Sequence, residues 1–185
     1  MRKKRIATTS LAGCFGCHMS LLDIDLRIIE LLQLLEFDRS PLNDLKTFTQ
    51  RCDIGLIEGG CCNEDNVHVL REFRQSCDIL VAVGQCAIMG GLPVKRNAIM
   101  HSQEPLRECL DEAYSTSKVL NVENQIPNDP ALPLLLDKVY TCVEVVKIDY
   151  QIPGCPPSAD TMWSALNALI KNEKPSLDYA LIKYD

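Results

Sequence analysis

Four cysteines stand in settings that suit thiolate chemistry. Cys14 and Cys17 form a Cys-x-x-Cys pair within Gly13-Cys14-Phe15-Gly16-Cys17-His18, Cys86 follows Gly84-Gln85, and Cys155 sits in Pro153-Gly154-Cys155-Pro156-Pro157. A cubane iron–sulfur cluster is held by four thiolates; Cys-x-x-Cys supplies two from one turn, and the others must converge from elsewhere in the fold. Each of these cysteines has glycine adjacent or nearby, namely Gly13, Gly16, Gly84 and Gly154. Glycine lets backbone N–H groups approach and bend around an anionic cluster, and such hydrogen bonds to sulfur help set its potential.

The elements that must position these thiols can be read from the apolar pattern. Ile6 to Leu11 is a short β-prone run closed by Gly13, and Met19 to Leu35 reads as one long amphipathic helix, whose start would add a favourable dipole near the cysteine pair. Asp53 to Ile57 and Ile79 to Val83 are continuous apolar runs followed by glycine, the pattern of strands buried on both faces of a parallel sheet. Helical spacing appears from Asn63 to Gln75 and around Leu106, Cys109, Leu110 and Ala113, and Ile148 to Ile152 predicts a last strand before a helix from Ser158 to Lys171. Alternating strands and helices predict an α/β, flavodoxin-like open parallel sheet with helices on both faces, forming one domain over residues 1–185. Asn121 to Pro133, with three prolines, reads as a surface loop.

In such sheets ligands gather outside the carboxyl ends of the strands, which sorts the ten cysteines. Cys52 and Cys77 precede their strands and belong to the opposite edge, as buried structural thiols. Cys109 falls on a helical stripe and Cys142 sits among valines, so both read as packing. Cys14, Cys17, Cys86 and Cys155 all follow strands. So do the adjacent Cys61 and Cys62, whose side chains diverge in an extended segment, so that at most one of them would readily join the site as ligand or neighbour.

Other chemistries fit parts of this pattern. Cys14 to His18 matches the Cys-x-x-Cys-His signature of covalent haem, and the shorter pair matches a thiol oxidoreductase, but neither uses Cys86 or Cys155. Zinc also takes four thiolates, usually as two close pairs, whereas Cys86 and Cys155 are singletons. His18 has the option of a hydrogen bond in the cluster environment, and a stand-alone thiol or zinc regulatory module is the rival reading from another class. His68 and His101 show no partners in sequence.

Composition narrows the class further. The chain has 185 residues, 46% hydrophobic and 24% charged, and a net charge of −6. That length and balance suit one cored domain and exclude disorder, while the few aromatics are not interleaved with basic residues as in a nucleic-acid groove. The N-terminus is basic, but only Ile6 to Ala12, interrupted by Thr8, Thr9 and Ser10, separates it from Gly13, whereas a secretory core needs about 7–15 apolar residues. No stretch reaches transmembrane length. The expectation is a cytoplasmic protein with reduced thiols and no contact with membrane or nucleic acid.

Taken together, the motifs resemble the small subunits of nickel–iron hydrogenases, whose proximal-cluster domain is similar to a subunit of respiratory complex I. Cys14-Phe15-Gly16-Cys17 looks like the family's first ligand loop and Ile57-Glu58-Gly59 like its glutamate–glycine turn. Gly84 to Gly91 matches the third-ligand loop, and Pro153 to Pro157 the fourth. The likeness runs from about Arg5 to Lys171. Many relatives carry serine and glutamate after the second loop cysteine, where this chain has His18 and Met19. Membrane-linked relatives also bear a twin-arginine signal and a C-terminal domain with two further clusters, and neither pattern is seen here.

The resemblance therefore implies one [4Fe–4S] cluster on Cys14, Cys17, Cys86 and Cys155, and points to the cytoplasmic NAD-reducing (bidirectional) class. It implies a nickel–iron large subunit as one partner and a diaphorase module carrying FMN, iron–sulfur clusters and NAD as the other. Glu58 would lie in the shell at the large-subunit interface, with capping of the following turn as its plainer role. Leu92 to Gln103 is a candidate surface for the diaphorase. An FMN beside the cluster is disfavoured, because the loop after the first strand is committed to cysteines where a phosphate cradle would be needed. A complex-I-type subunit at a quinone site is the second electron-transfer reading, weaker because that family has adjacent cysteines in its first loop.

Overall fold

A computed structural model describes residues 2–99, 105–115 and 126–182. The expected runs become strands β1 (Lys4–Ser10), β3 (Cys52–Glu58), β5 (Cys77–Val83) and β7 (Tyr150–Ile152), and β2 (Leu35–Phe37) joins them where no strand was expected. Among the described residues these form a five-stranded sheet in the order β2-β1-β3-β5-β7, with every pairing parallel. A second, antiparallel pair joins β4 (Cys61–Asn63) to β6 (Leu135–Tyr140). The strand order reverses between β1 and β3. This is the flavodoxin-like order, and the crevice outside such a reversal is where ligands of open α/β sheets bind.

Each face of the sheet has its own core, because the central strands are apolar on both sides. One face packs Ile6, Ile54, Leu56 and Val81 against Leu21, Leu31 and Leu166 from α1 (Gly16–Leu22), α2 (Arg27–Leu34) and α8 (Ala159–Ile170). The other packs Ala7, Ile57, Leu80 and Ala82 against Leu70 and Phe73 of α3 (Glu64–Ser76), Ala87 of α4 (Gly84–Met89) and Cys142 of α7 (Cys142–Val145). Side-chain caps fix the starts of two long helices. Asn63 accepts the amide of Asn66 at 2.9 Å, and Ser158 accepts that of Thr161 at 3.2 Å. Two further helices, α5 (Lys95–Ile99) and α6 (Pro105–Ser115), follow α4.

The expected single helix from Met19 to Leu35 is corrected in three respects. It begins at Gly16, so Cys17 is already helical; it breaks at Asp23–Leu26, with Asp25 in the left-handed region at φ 62°; and Leu35 ends it as the first residue of β2. Leu21 before the break, Ile24 within it and Leu31 after it all go into the core, so burial overrides the continuous helical pattern. Of the expected loop from Asn121 to Pro133, residues 126–133 are irregular and 121–125 lie outside the described residues. Leu92 to Ile99 is described, including α5, whereas residues 100–103, with His101, lie outside.

Candidate metal centre

The four cysteines reach one edge from three strands. Cys14 lies in the loop after β1 and Cys17 in the first turn of α1, Cys86 sits in α4 directly after β5, and Cys155 follows β7. Cys14 and Cys155 are exposed, while Cys17 and Cys86 are half-buried. Backbone hydrogen bonds lash the loops together: Leu11 N–H to Glu58 O at 2.8 Å, a reciprocal pair between Ala12 and Gly60 at 3.0 and 2.8 Å, and Gln85 N–H to Gly154 O at 2.9 Å.

The glycines make room for sulfur. A Cβ on Gly84, which has φ +80°, would stand 2.3 Å from Cys17 Sγ, and one on Gly16 would stand 3.1 Å from Cys14 Sγ. Gly91, at φ +49°, leaves the same kind of space beside Cys86 Sγ, where a Cβ would come within 2.7 Å. Three of the sulfurs thus rest against glycine backbone that no other residue could supply without moving them.

Electrostatics place the four thiols in one neighbourhood. Burial, then the negative charge of Glu58, then those of Cys14, Cys86 and Cys155, push the Cys17 thiol well above the ordinary thiol range. Burial likewise pushes Cys86 up, the backbone N–H of Leu92 pulls the other way, and Cys155, Cys14 and Glu58 add to the rise. Four thiolates and a buried carboxylate at one edge call for a cationic partner, and a four-cysteine donor set is one that an iron–sulfur cluster would fit. Among the described residues, no three His, Cys, Asp or Glu side chains close on a point as the ligands of a single ion would.

Glu58 is the last residue of β3 and is buried, as is His18 beside Cys17. The two meet at 2.5 Å between Oε2 and Nδ1. The contact has no sequence signal, since 40 residues separate His18 from Glu58, and Phe15 of the same loop stacks on the His18 ring.

The remaining cysteines divide as their edges require. Cys52 and Cys77 pair in register at the amino edge and are buried. A hydrogen bond with Cys52, then burial, pushes the Cys77 thiol up, and Gly55 leaves space for its sulfur. Cys61 turns into the core towards Cys142, whose Sγ also donates to Gly59 O at 3.3 Å. Cys62 is half-buried within electrostatic reach of Cys86 and Arg96, so it neighbours the site. Cys109 is half-buried on α6. A cavity of about 550 Å³ lined by Glu64, His68, Arg71, Tyr140 and Glu144 holds none of the four site cysteines.

Comparison with known proteins follows the same motifs. The family model described as NADH ubiquinone oxidoreductase, 20 Kd subunit, matches residues 14–169. The delta subunit of the NAD-reducing hydrogenase HoxS from Cupriavidus necator is 42% identical over 185 residues, covering 99% of this chain and 86% of that one. The chain belongs to this family. Within it, the chain is a small subunit of the NAD-reducing hydrogenase kind: a chain in the crystal structure of NAD+-reducing [NiFe]-hydrogenase in the H2-reduced state superposes with a TM-score of 0.93 at 49% identity, each covered in full. The F420-non-reducing hydrogenase vhu from Methanococcus voltae has a chain 35% identical over 181 residues, with 97% of this chain and 61% of that one covered. A [NiFeSe]-hydrogenase chain from Dm. baculatum, 17% identical with a TM-score of 0.55, shares the fold, with 98% of this chain and 70% of that one covered. No helix among the described residues is long and apolar enough to cross a membrane.

Proposed function

We propose that this chain carries one [4Fe–4S] cluster on Cys14, Cys17, Cys86 and Cys155, and relays electrons in a cytoplasmic, reversible, NAD-reducing [NiFe]-hydrogenase. The nickel–iron large subunit would lie on one side, and an FMN- and cluster-bearing diaphorase that meets NAD on the other. The reading rests on the convergence of these four thiols from three strand ends onto one edge. When bound, the cluster supplies a site that takes and gives one electron at a time.

The chain's own residues do the rest. Cys17 and Cys86 are half-buried and hold the inner side, while exposed Cys14 and Cys155 face outward at the edge where a partner subunit would sit. Gly16, Gly84 and Gly91 keep Cβ atoms away from the sulfurs, and the Leu92 amide donates to Cys86. An amide–sulfur hydrogen bond stabilises the more negative state and so raises the potential. Gly13 lets the first loop pass Gly59 closely, a Cβ there falling 3.3 Å from the Gly59 Cα.

The test is elemental and spectroscopic. Full-length protein purified without oxygen should hold about four irons and four sulfides per chain and give a cluster signal on reduction. Cys155→Ala should lose that signal, whereas Cys52→Ala, at the far edge, should keep it. Zinc without iron, or equal loss in both variants, would overturn the reading.

A further inference from the structure

The loop carrying Cys14 and Cys17 closes around one buried carboxylate. Glu58 is only 2% exposed. Its Oε2 accepts the backbone N–H of His18 at 3.1 Å and lies 2.5 Å from the same residue's Nδ1. Its Oε1 stands 3.8 Å from the place a Cβ on Gly13 would occupy. One carboxylate therefore reaches both ends of the segment 13–18. A carboxyl group taken out of water needs such partners, and here they all belong to the cysteine loop.

The contact continues into the turn between the two cysteines. The His18 ring is buried and lies flat against Phe15, with centroids 4.5 Å apart and planes 8° from parallel. Phe15 has φ 66°, a left-handed conformation that is unfavourable for a residue with a side chain, and the ring stack acts in the opposite sense. Among the described residues His18 Nε2 is buried with no hydrogen-bond partner, and the polar hold on this ring runs through Glu58. Glu58 fixes His18, His18 supports Phe15, and Phe15 shapes the turn that presents both sulfurs.

We propose that Glu58, acting through His18, is the positioning residue for the Cys14–Cys17 pair, and that its buried carboxylate holds down the reduction potential of the group those thiolates bind. The inference rests on the reading of the four cysteines as cluster ligands. Its geometric part stands on the hydrogen bonds and the stack. Its electrostatic part stands on the burial of Glu58 in one small cavity with Cys17 and His18, and has support in the reach of its charge to Cys17 and Cys86. A negative charge held in a poorly polarisable interior disfavours the arrival of an electron nearby.

Wild type, Glu58→Gln, Glu58→Ala and His18→Ala would be purified as full chains without oxygen, then assayed for iron and sulfide and titrated by electron paramagnetic resonance. Glu58→Gln keeps an oxygen for the His18 amide and should load iron normally, but its reduction equilibrium should shift at least tenfold toward the reduced state, about 59 mV for one electron. Glu58→Ala and His18→Ala should load less iron and show a changed line shape. A wild-type potential in Glu58→Gln overturns the electrostatic part, and wild-type loading and line shape in His18→Ala overturn the positioning part. A wild-type chain with no iron or sulfide would instead overturn the ligand reading beneath both.

Discussion

Single atoms decide whether this edge can hold four sulfurs. Gly84 is the sharpest case, since its backbone is left-handed and a Cβ would stand 2.3 Å from Cys17 Sγ. Gly84→Ala should therefore strip most of the iron measured after anaerobic purification, and should cost the apoprotein about 1–2 kcal/mol in denaturant unfolding. Its counterpart in the first loop should be milder. Gly16 has the looser approach, 3.1 Å to Cys14 Sγ, and no left-handed backbone, so Gly16→Ala should lower iron content with little change in apoprotein stability. Gly16 and Gly84 were legible in sequence because they sit close to cysteines, whereas Gly91 was not, since only the turn after α4 brings it back onto Cys86. The Glu58–His18 contact was not, because a hydrogen bond between residues from different strand ends leaves no local pattern. Cys61 and Cys62 were ambiguous for a similar reason: only the antiparallel pairing of β4 with β6 sends one into the core and leaves the other near Cys86.

Elements were legible where burial is continuous and failed where tertiary packing interrupts a pattern. The apolar runs of β3 and β5 announce themselves. The break at Asp23–Leu26 has neither glycine nor proline, and β2 continues a helical pattern into extended backbone, so neither was visible. The element most exposed to a point change is β7, a three-residue edge strand that delivers Cys155. It is anchored just upstream by Asp149, whose Oδ2 accepts from Arg74 at 2.6 Å and from the Leu80 amide at 2.8 Å. Burial alone would raise the Asp149 pKa, but these two hydrogen bonds together with the positive charges of Arg74 and Lys147 outweigh it and hold the carboxyl below its ordinary range. A lowered carboxylate pKa contributes stability that is present above the unfolded value of about 3.9 and lost as pH falls through the folded one. Asp149→Asn should thus cost about 1–3 kcal/mol at pH 7 in urea unfolding, and the gap to wild type should close as the pH drops below about 4.

At the scale of the whole molecule the two edges of the sheet differ in what secures them. At the amino edge Cys52 lies beside Cys77, and the Asp53 side chain accepts from Arg2 at 2.8 Å and from the Arg5 backbone N–H at 2.7 Å. The carboxyl edge gathers loops from β1, β5 and β7 around the cysteines. Removing iron by anaerobic chelation should lower the melting temperature and raise amide exchange in residues 13–18 and 84–91 and at Gly154 and Cys155, while the amides of Cys52 and Cys77 stay protected. Uniform loss of protection would contradict this division. The sheet order also has a consequence for how the protein is made. Cys14 leaves the ribosome early and Cys155 late, and β7 takes its place only against β5. With the proposed ligand set, the fourth thiol would arrive only once β7 has paired with β5, so cluster insertion would follow assembly of the central sheet and could not direct it.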